Sequence, residues 1–263
     1  MRILITNDDG IMAPGLQVLH DLAIQLAGPK GEVWTVAPQS EQSGVGHCIS
    51  YTKPVLVHQY AARKFAVEGS PADCILAGLN DLLPQRPDLV LSGVNKGNNS
   101  AENTVYSGTI GAAMEAALAG VPSIALSQFY GPQNTDLDDS FEASAGHGVA
   151  AIQACLDAGF ARAEDYALFY NINFPPVPSL GVLGMKAVKQ GYRGDGAFGA
   201  HATNAPNGRK FLFMHGRPQQ APTQDGTDAA ANLDGYISVT PMRVDLTAHD
   251  RMADLKARIE STQ

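Results

Sequence analysis

The feature that most constrains this chain is the rhythm of its first half, where short apolar runs alternate with helical patterns. Arg2–Thr6 reads as a buried strand, and Pro14 opens a helical pattern in which Leu16, Leu19, Leu22, Ala23 and Leu26 share one face. Gly28-Pro29 ends that helix. A second strand is predicted over 32–37, and two strand-like runs at 54–60 and 64–68 read as a hairpin on the same core. Ser70-Pro71-Ala72-Asp73 combines a hydroxyl at the cap, proline at the first helical position and an acid in the first turn, which predicts a helix to about residue 83. A buried strand at 88–91, a long polar loop over 92–107, a small-residue helix over 108–119 and a strand at 122–127 continue the alternation. Strands separated by helices pack as a parallel sheet with right-handed crossovers and helices on both faces, an α/β fold.

Beyond about residue 130 the rhythm changes. A helix is predicted over 137–157 and a strand over 166–173. Residues 190–235 are rich in Gly, Pro and polar side chains with weak periodicity, the pattern of an extended hairpin or arm. A strand returns at 235–241, and Thr247-Ala248-His249-Asp250 has the form of a capping box before a terminal helix carrying Leu255 and Ile259. No internal repeat is present. The predicted organisation is a core over 1–185 and a C-terminal extension over 186–263 suited to subunit contacts, both within one domain.

Composition narrows the class of partner. With 44% hydrophobic and 17% charged residues the chain can bury a core, so disorder is excluded as its default state. Eighteen basic against 26 acidic residues leave a net charge of −8, which argues against a nucleic-acid duplex or an anionic membrane surface as partner. Small anions remain open, because a bound cation or a helix terminus reverses the local field. Cys48, Cys74 and Cys155 form no CxxC pair and are expected to be reduced thiols. No stretch approaches the ~18 uninterrupted apolar residues of a membrane span, and no apolar leader precedes the first strand, so a cytoplasmic location is expected.

In an open parallel sheet, ligands bind beyond the carboxyl ends of the strands. Three of those ends are unusually polar here. They are Asn7-Asp8-Asp9-Gly10, the loop from Pro38 to Gly46 with Ser40, Glu41 and Ser43, and Ser92-Gly93-Val94-Asn95-Lys96-Gly97-Asn98-Asn99. Any one alone reads as a solvated loop; three on one rim read as a site. Their donors are carboxylates, hydroxyls and amides, which suit Mg²⁺, Mn²⁺ or Ca²⁺ better than Zn²⁺. A divalent cation would also relieve the repulsion between Asp8 and Asp9. Tyr106-Ser107-Gly108-Thr109 leads into a helix of small residues, leaving backbone N–H groups at the positive end of the helix dipole, as a phosphate or carboxylate site requires. Lys96 is a further source of positive charge. The P-loop, the dinucleotide fingerprint and the G-x-S-x-G nucleophile elbow are all absent.

NDDG followed by APG, then APQSEQSG, GSPADC, SGVNKGNN, YSGTIGAAME and GYISVTP, resembles the ordered motifs of the SurE family (survival protein E) over essentially the whole chain. The resemblance implies a Rossmann-like core, a swapped C-terminal arm giving homodimers or tetramers, and one divalent metal per subunit, Mg²⁺ or Mn²⁺. Carried over motif by motif, it implies Asp8, Asp9, Ser43 and Asn95 as metal ligands, with Asp8 and Asp9 catalytic. It implies Asn99, Ser107, Gly108 and Thr109 around the phosphate. The segment with Asp245 and His249 corresponds to a hinge and subunit contact. The chain departs from the family at Ala101 and Asn103, where the pattern has Gly and Asp.

The activity implied is metal-dependent hydrolysis of nucleoside 5′- and also 3′-monophosphates. Two other readings use the same rim: a phosphatase of another phosphomonoester or short polyphosphate, and a non-catalytic nucleotide sensor. The adjacent acids favour an enzyme, since a pure anion binder gains nothing from carboxylates in its pocket.

Overall fold

The structure is a computed structural model that describes residues 1–131, 133–161, 166–194 and 196–260. β1 (Arg2–Thr6) leads into α1 (Pro14–Ala27) and β2 (Glu32–Pro38). The hairpin of β3 (Val57–Ala61) and β4 (Lys64–Val67) follows, then α2 (Pro71–Ala77), β5 (Leu89–Lys96) and α3 (Gly108–Leu118). Next come β6 (Ser123–Gln128), α4 (Glu142–Ala158) and β7 (Phe169–Phe174). The C-terminal third supplies β8 (Met185–Ala187), the hairpin of β9 (Phe198–Asn204) and β10 (Lys210–Gly216), α5 (Asp228–Leu233), β11 (Ile237–Met242) and α6 (His249–Glu260).

Nine strands form one sheet in the order β3-β4-β2-β1-β5-β6-β7-β11-β8. From β4 to β7 every neighbouring pair is parallel. β3 closes one edge antiparallel to β4, and β11 runs antiparallel to β7. β1 shows why the centre is parallel: Ile3, Leu4 and Ile5 are fully buried, so both faces must be covered by helices. Strand alternation sends Ile3 and Ile5 into one layer with Leu16, Leu19 and Ile152 of α1 and α4. Leu4 goes to the opposite layer with Ile75 of α2 and Ala112 and Ala116 of α3. Gly148 of α4 lets that helix sit close to α1, since a Cβ there would lie 2.4 Å from Leu22 Cδ1.

The α/β architecture is as expected, and several boundaries move. The strand expected to stop at residue 91 continues to Lys96, carried past a register shift between Ser92 and Asn95 in its pairing with β6. The loop predicted over 92–107 is correspondingly shorter, and residues Ala101–Val105 within it form a 3₁₀ turn. The helix predicted to reach residue 83 ends at Ala77 and relaxes into one wider turn over Gly78–Leu82. Its capping box is present as predicted: Ser70 Oγ accepts from Asp73 N, and Asp73 Oδ2 accepts from Ser70 N. The helix predicted from 137 begins at Glu142. The weakly patterned stretch holds α5 as well as a hairpin, because Thr227 caps a turn of Ala-rich helix too short to show a period.

Among the described residues β9 and β10 pair only with each other, and they are exposed along nearly their whole length. α6 buries none of its residues. Cys74 and Cys155 are buried and Cys48 is exposed, all three as free thiols. Among the described residues no helix is long and apolar enough to cross a membrane.

Candidate active site

β2, β1 and β5 are adjacent in the sheet, so the three polar strand ends predicted to share a rim do share it. The chain runs from β1 to β2 on one side and returns to β5 on the other, a topological switch point of the kind where open α/β sheets open a crevice. At the end of β1, Asn7 Nδ2 donates to Gly10 O at 2.9 Å, closing the turn that presents Asp8 and Asp9. Gly10 takes φ +100°, a conformation that glycine adopts at little cost. The second loop is tied down by Gln42 N donating to Asp8 O at 2.7 Å and Gly46 N donating to Tyr106 O at 2.9 Å.

A cleft of about 290 Å³ opens on this rim. Asp8, Ser43, Asn95, Asn99 and Ser107 line it. Asp9 lies in an adjoining depression with Glu41, and the two recesses share Lys96 and Tyr130. Thr109 is fully buried behind Asp8, where its Oγ1 donates to Asp8 Oδ1 at 2.6 Å and its N donates to Asp8 Oδ2 at 3.2 Å. Ser107 Oγ accepts from Ile110 N at 3.1 Å and caps α3. Gly108 presses on the acid: a Cβ there would lie 2.9 Å from Asp8 Cβ and 3.0 Å from Pro71 Cγ. Asn99 is buried, with its Nδ2 donating to Ser127 Oγ and its N donating to Asn173 Oδ1 of β7. A larger cavity of about 410 Å³ beside the start of α1 is lined by His20, Arg63 and Lys64 and holds no carboxylate.

The electrostatics of the acid pair are unusual. Burial raises the Asp8 carboxyl to about 6, with Thr109 opposing the rise and Asp9 adding to it. Burial also raises Asp9, opposed by the Lys96 amide that donates to its Oδ2 at 3.0 Å and reinforced by Glu41. Neither carboxylate forms an ion pair with a basic side chain among the described residues, and Lys96 Nζ instead lies 5.4 Å from the Tyr130 ring centroid. The neighbouring donors are oriented to leave oxygen free. Ser43 Oγ gives its proton to Glu41 Oε1 at 2.7 Å, and Asn95 Nδ2 donates to Gly97 O at 2.8 Å. No group of three or more His, Cys, Asp or Glu suited to a metal forms among the described residues. The donor set is therefore two carboxylates supplemented by neutral hydroxyl and amide oxygens. That set fits a hard divalent cation that keeps several waters.

Two departures flagged in the sequence take definite form. Ala101 adopts φ +52°, a left-handed conformation that glycine takes far more readily, so an ordinary side chain is held there at a cost in strain. Its N–H donates to both Asp228 carboxylate oxygens, at 3.1 and 3.3 Å. Asn103 Nδ2 donates to Asn98 Oδ1 at 3.0 Å and to Gln219 Oε1. Glu102 turns away from the rim to Arg193, accepting from that residue's backbone N and guanidinium.

Asn98, Tyr106, Phe129, Phe198, Gly216 and Gln219 also line the cleft. Asn98 and Tyr106 belong to the polar loop and helix lead-in singled out in the sequence, whereas Phe129, Phe198, Gly216 and Gln219 were missed. Phe198, Gly216 and Gln219 come from the aperiodic stretch around the β9–β10 hairpin.

An acid-paired rim at the switch point of a parallel sheet, beside a capped helix start, makes this an α/β protein with a candidate site for a cation and an anion. The Survival protein SurE family profile matches residues 3–196, and the chain belongs to the SurE family. It is 63% identical to the 5′-nucleotidase SurE of Jannaschia sp. (strain CCS1) over 99% of this chain and 100% of that one. It is also 63% identical to the 5′-nucleotidase SurE of Roseobacter denitrificans (strain ATCC 33942 / OCh 114), over 97% and 98% of the two chains. The SurE protein of Aquifex aeolicus, solved by crystallography, superposes with a TM-score of 0.79 at 34% identity, covering 98% of this chain and 99% of that one.

Proposed function

We propose that this chain is a 5′-nucleotidase, a phosphoric monoester hydrolase releasing phosphate from nucleoside 5′-monophosphates, with 3′-monophosphates as further substrates. The observation that carries the reading is the acid pair, Asp8 buried and Asp9 half-buried, both carboxyls raised by desolvation, neither in an ion pair with a basic side chain among the described residues, and Asp8 set beside Ser43 and Asn95. Asp8, Asp9, Ser43 and Asn95 would hold one Mg²⁺ or Mn²⁺. Such an ion supplies neutralisation of phosphoryl charge and acidifies a water.

The protein's own residues then divide the work. Thr109 fixes Asp8 through two hydrogen bonds to its carboxylate oxygens, each charge-assisted when the acid is ionised. The start of α3, at Ser107 and Gly108, brings the positive end of the helix dipole to the phosphate, and Asn99 completes that wall. Asp9 has Oδ2 occupied by the Lys96 amide, so Oδ1 is the atom that takes the proton from the attacking water.

The acting form is proposed to be a cytoplasmic homodimer or tetramer built through the β9–β10 arm and α6. A phosphate-release panel tests the activity, using nucleoside monophosphates, sugar phosphates and polyphosphate with Mg²⁺, Mn²⁺, Co²⁺ or chelator. Metal-dependent release from nucleoside 5′-monophosphates, lost in Asp9→Asn with the fold intact, is the expected result. Turnover retained by Asp9→Asn with added Mn²⁺ overturns the metal-site assignment. Nucleotide binding without phosphate release under every metal makes the protein a sensor.

A further inference from the structure

The cleft is lined by Asp8 and by Ser107 at the start of α3, and also by aromatic rings. Tyr106 and Phe198 meet there with ring centroids 5.0 Å apart and planes at 73°. They come from different parts of the chain, Tyr106 from the residue before the α3 cap and Phe198 from the first residue of β9. Both rings are partly exposed, at 41% and 46%, in a fold that buries its core aromatics almost completely. An edge-to-face pair leaves ring faces open to a third planar group, which a stacked pair would occupy itself. Because Tyr106 directly precedes Ser107, this aromatic pair begins one residue from the proposed phosphate site.

A second observation points to a ligand in the same cleft. Asn98 lines it and is only 5% exposed, yet its Nδ2 has no hydrogen-bond partner. Its Oδ1 accepts from Asn103, so the amide orientation is set and the free atom is a donor. A buried donor without an acceptor is costly unless something bound supplies one. Gln219 behaves differently: Oε1 accepts from Asn103, and Nε2 donates to Arg217 O at 2.9 Å. Both ends of that amide are committed, leaving little to read the edge of a planar ligand.

Resting on the phosphatase reading, we propose that Tyr106 and Phe198 form a stacking subsite for the nucleobase, with Asn98 Nδ2 donating to the ribose. The cleft volume, about 290 Å³, lies at the small end of the roughly 300–1,000 Å³ typical of small-molecule sites, enough for a mononucleotide and little more. Since stacking dominates and the Gln219 amide is occupied, the subsite holds any base and selects against phosphomonoesters that lack one. The root of the arm thus contributes to substrate choice.

The test has two arms. In the first, kcat and KM are measured for adenosine 5′-monophosphate and for ribose 5-phosphate, which carries no base. The wild type is expected to prefer the nucleotide. Phe198→Ala is expected to cut the ratio of the two kcat/KM values about tenfold, through KM for the nucleotide, and Phe198→Tyr to retain it. A ratio near one in the wild type, or a ratio untouched by Phe198→Ala, overturns the subsite, as does an equal loss on both substrates. In the second arm, adenosine, which has no phosphate, is bound to wild type and Phe198→Ala and followed by ligand-observed NMR. Weakening of about tenfold in the variant supports the subsite even if no phosphate is ever released, in which case the phosphatase reading alone falls. Phosphate release with no Phe198-dependent adenosine binding does the reverse.

Discussion

Asp8 is held in a state that costs the protein stability. Its folded carboxyl titrates near 6 against an ordinary 3.8, so between those values the folded chain binds more protons than the unfolded one. Stability from this group is therefore complete below about pH 4 and is lost as pH rises through about 6. The full shift corresponds to about 3 kcal/mol at most. Asp8→Asn removes the charge and keeps an acceptor for Thr109, so the chelated variant is expected to unfold at a higher temperature than chelated wild type at pH 7.5, with the difference shrinking at pH 5. Adding Mn²⁺ should stabilise the wild type and leave the variant unchanged. Thermal melts at the two pH values, with and without metal, measure both effects. Ala101 poses the opposite case, an ordinary residue held at φ +52°. Ala101→Gly relieves roughly 1–2 kcal/mol of left-handed strain and gives back about 0.4–1 kcal/mol to the unfolded chain, a net gain below about 1.5 kcal/mol. A rise in the urea midpoint at unchanged slope is the expected result. At this scale the acid pair was legible because two adjacent carboxylates after an apolar run demand an explanation. The left-handed turn at Ala101 was not, since alanine carries no sign of the backbone it occupies.

Among the elements, α3 and β5 set the geometry of the rim. α3 begins against Asp8, and Gly108 is the residue that lets it come so close. Gly108→Ala forces its Cβ to within 2.9 Å of Asp8 Cβ and 3.0 Å of Pro71 Cγ, so the helix start or the acid must shift by several tenths of an ångström. Because small displacements of catalytic groups are costly, activity is expected to fall about tenfold to a hundredfold while circular dichroism stays native. Parallel assays of Gly111→Ala are less clean, as a Cβ there would meet Gly46 O at 2.5 Å and move the second loop as well. The strand–helix alternation of the first half was legible because each buried strand is a continuous apolar run and each helix has a distinct cap. The extension of β5 was hidden: Ser92, Gly93, Asn95 and Lys96 look like a loop, and it is pairing with β6, resumed beyond a register shift at Asn95 and Lys96, that makes them strand. α5 was hidden for the reason that six residues are too few to show a helical period.

Viewed as a whole molecule, the chain has two parts that its own core does not complete. The β9–β10 hairpin exposes Phe211, Leu212, Phe213 and Met214 in succession, at 49% or more each, so both faces of a two-stranded ribbon are apolar and uncovered. A lone hairpin of this kind is marginal in water and an aggregation hazard if left open. α6 repeats the situation in helical form, with Met252, Leu255 and Ile259 exposed at three- and four-residue spacing on an element that buries nothing. Surfaces like these are stable when a second copy covers them, which is why an assembly through the arm is proposed. Mutual coverage makes stability concentration-dependent, because subunit association acts as a ligand for the folded state. The melting temperature is accordingly expected to rise with protein concentration. A Phe211→Ser/Phe213→Ser double variant is expected to shift toward smaller species in light scattering and to lose that dependence. A monodisperse monomer in the wild type at micromolar concentration would sink the proposal. The root of the same arm supplies Phe198, Gly216 and Gln219 to the cleft, so the proposed association and the proposed base subsite share one element. Dissociation is then expected to raise KM for a nucleotide more than it lowers kcat, which the double variant also reports.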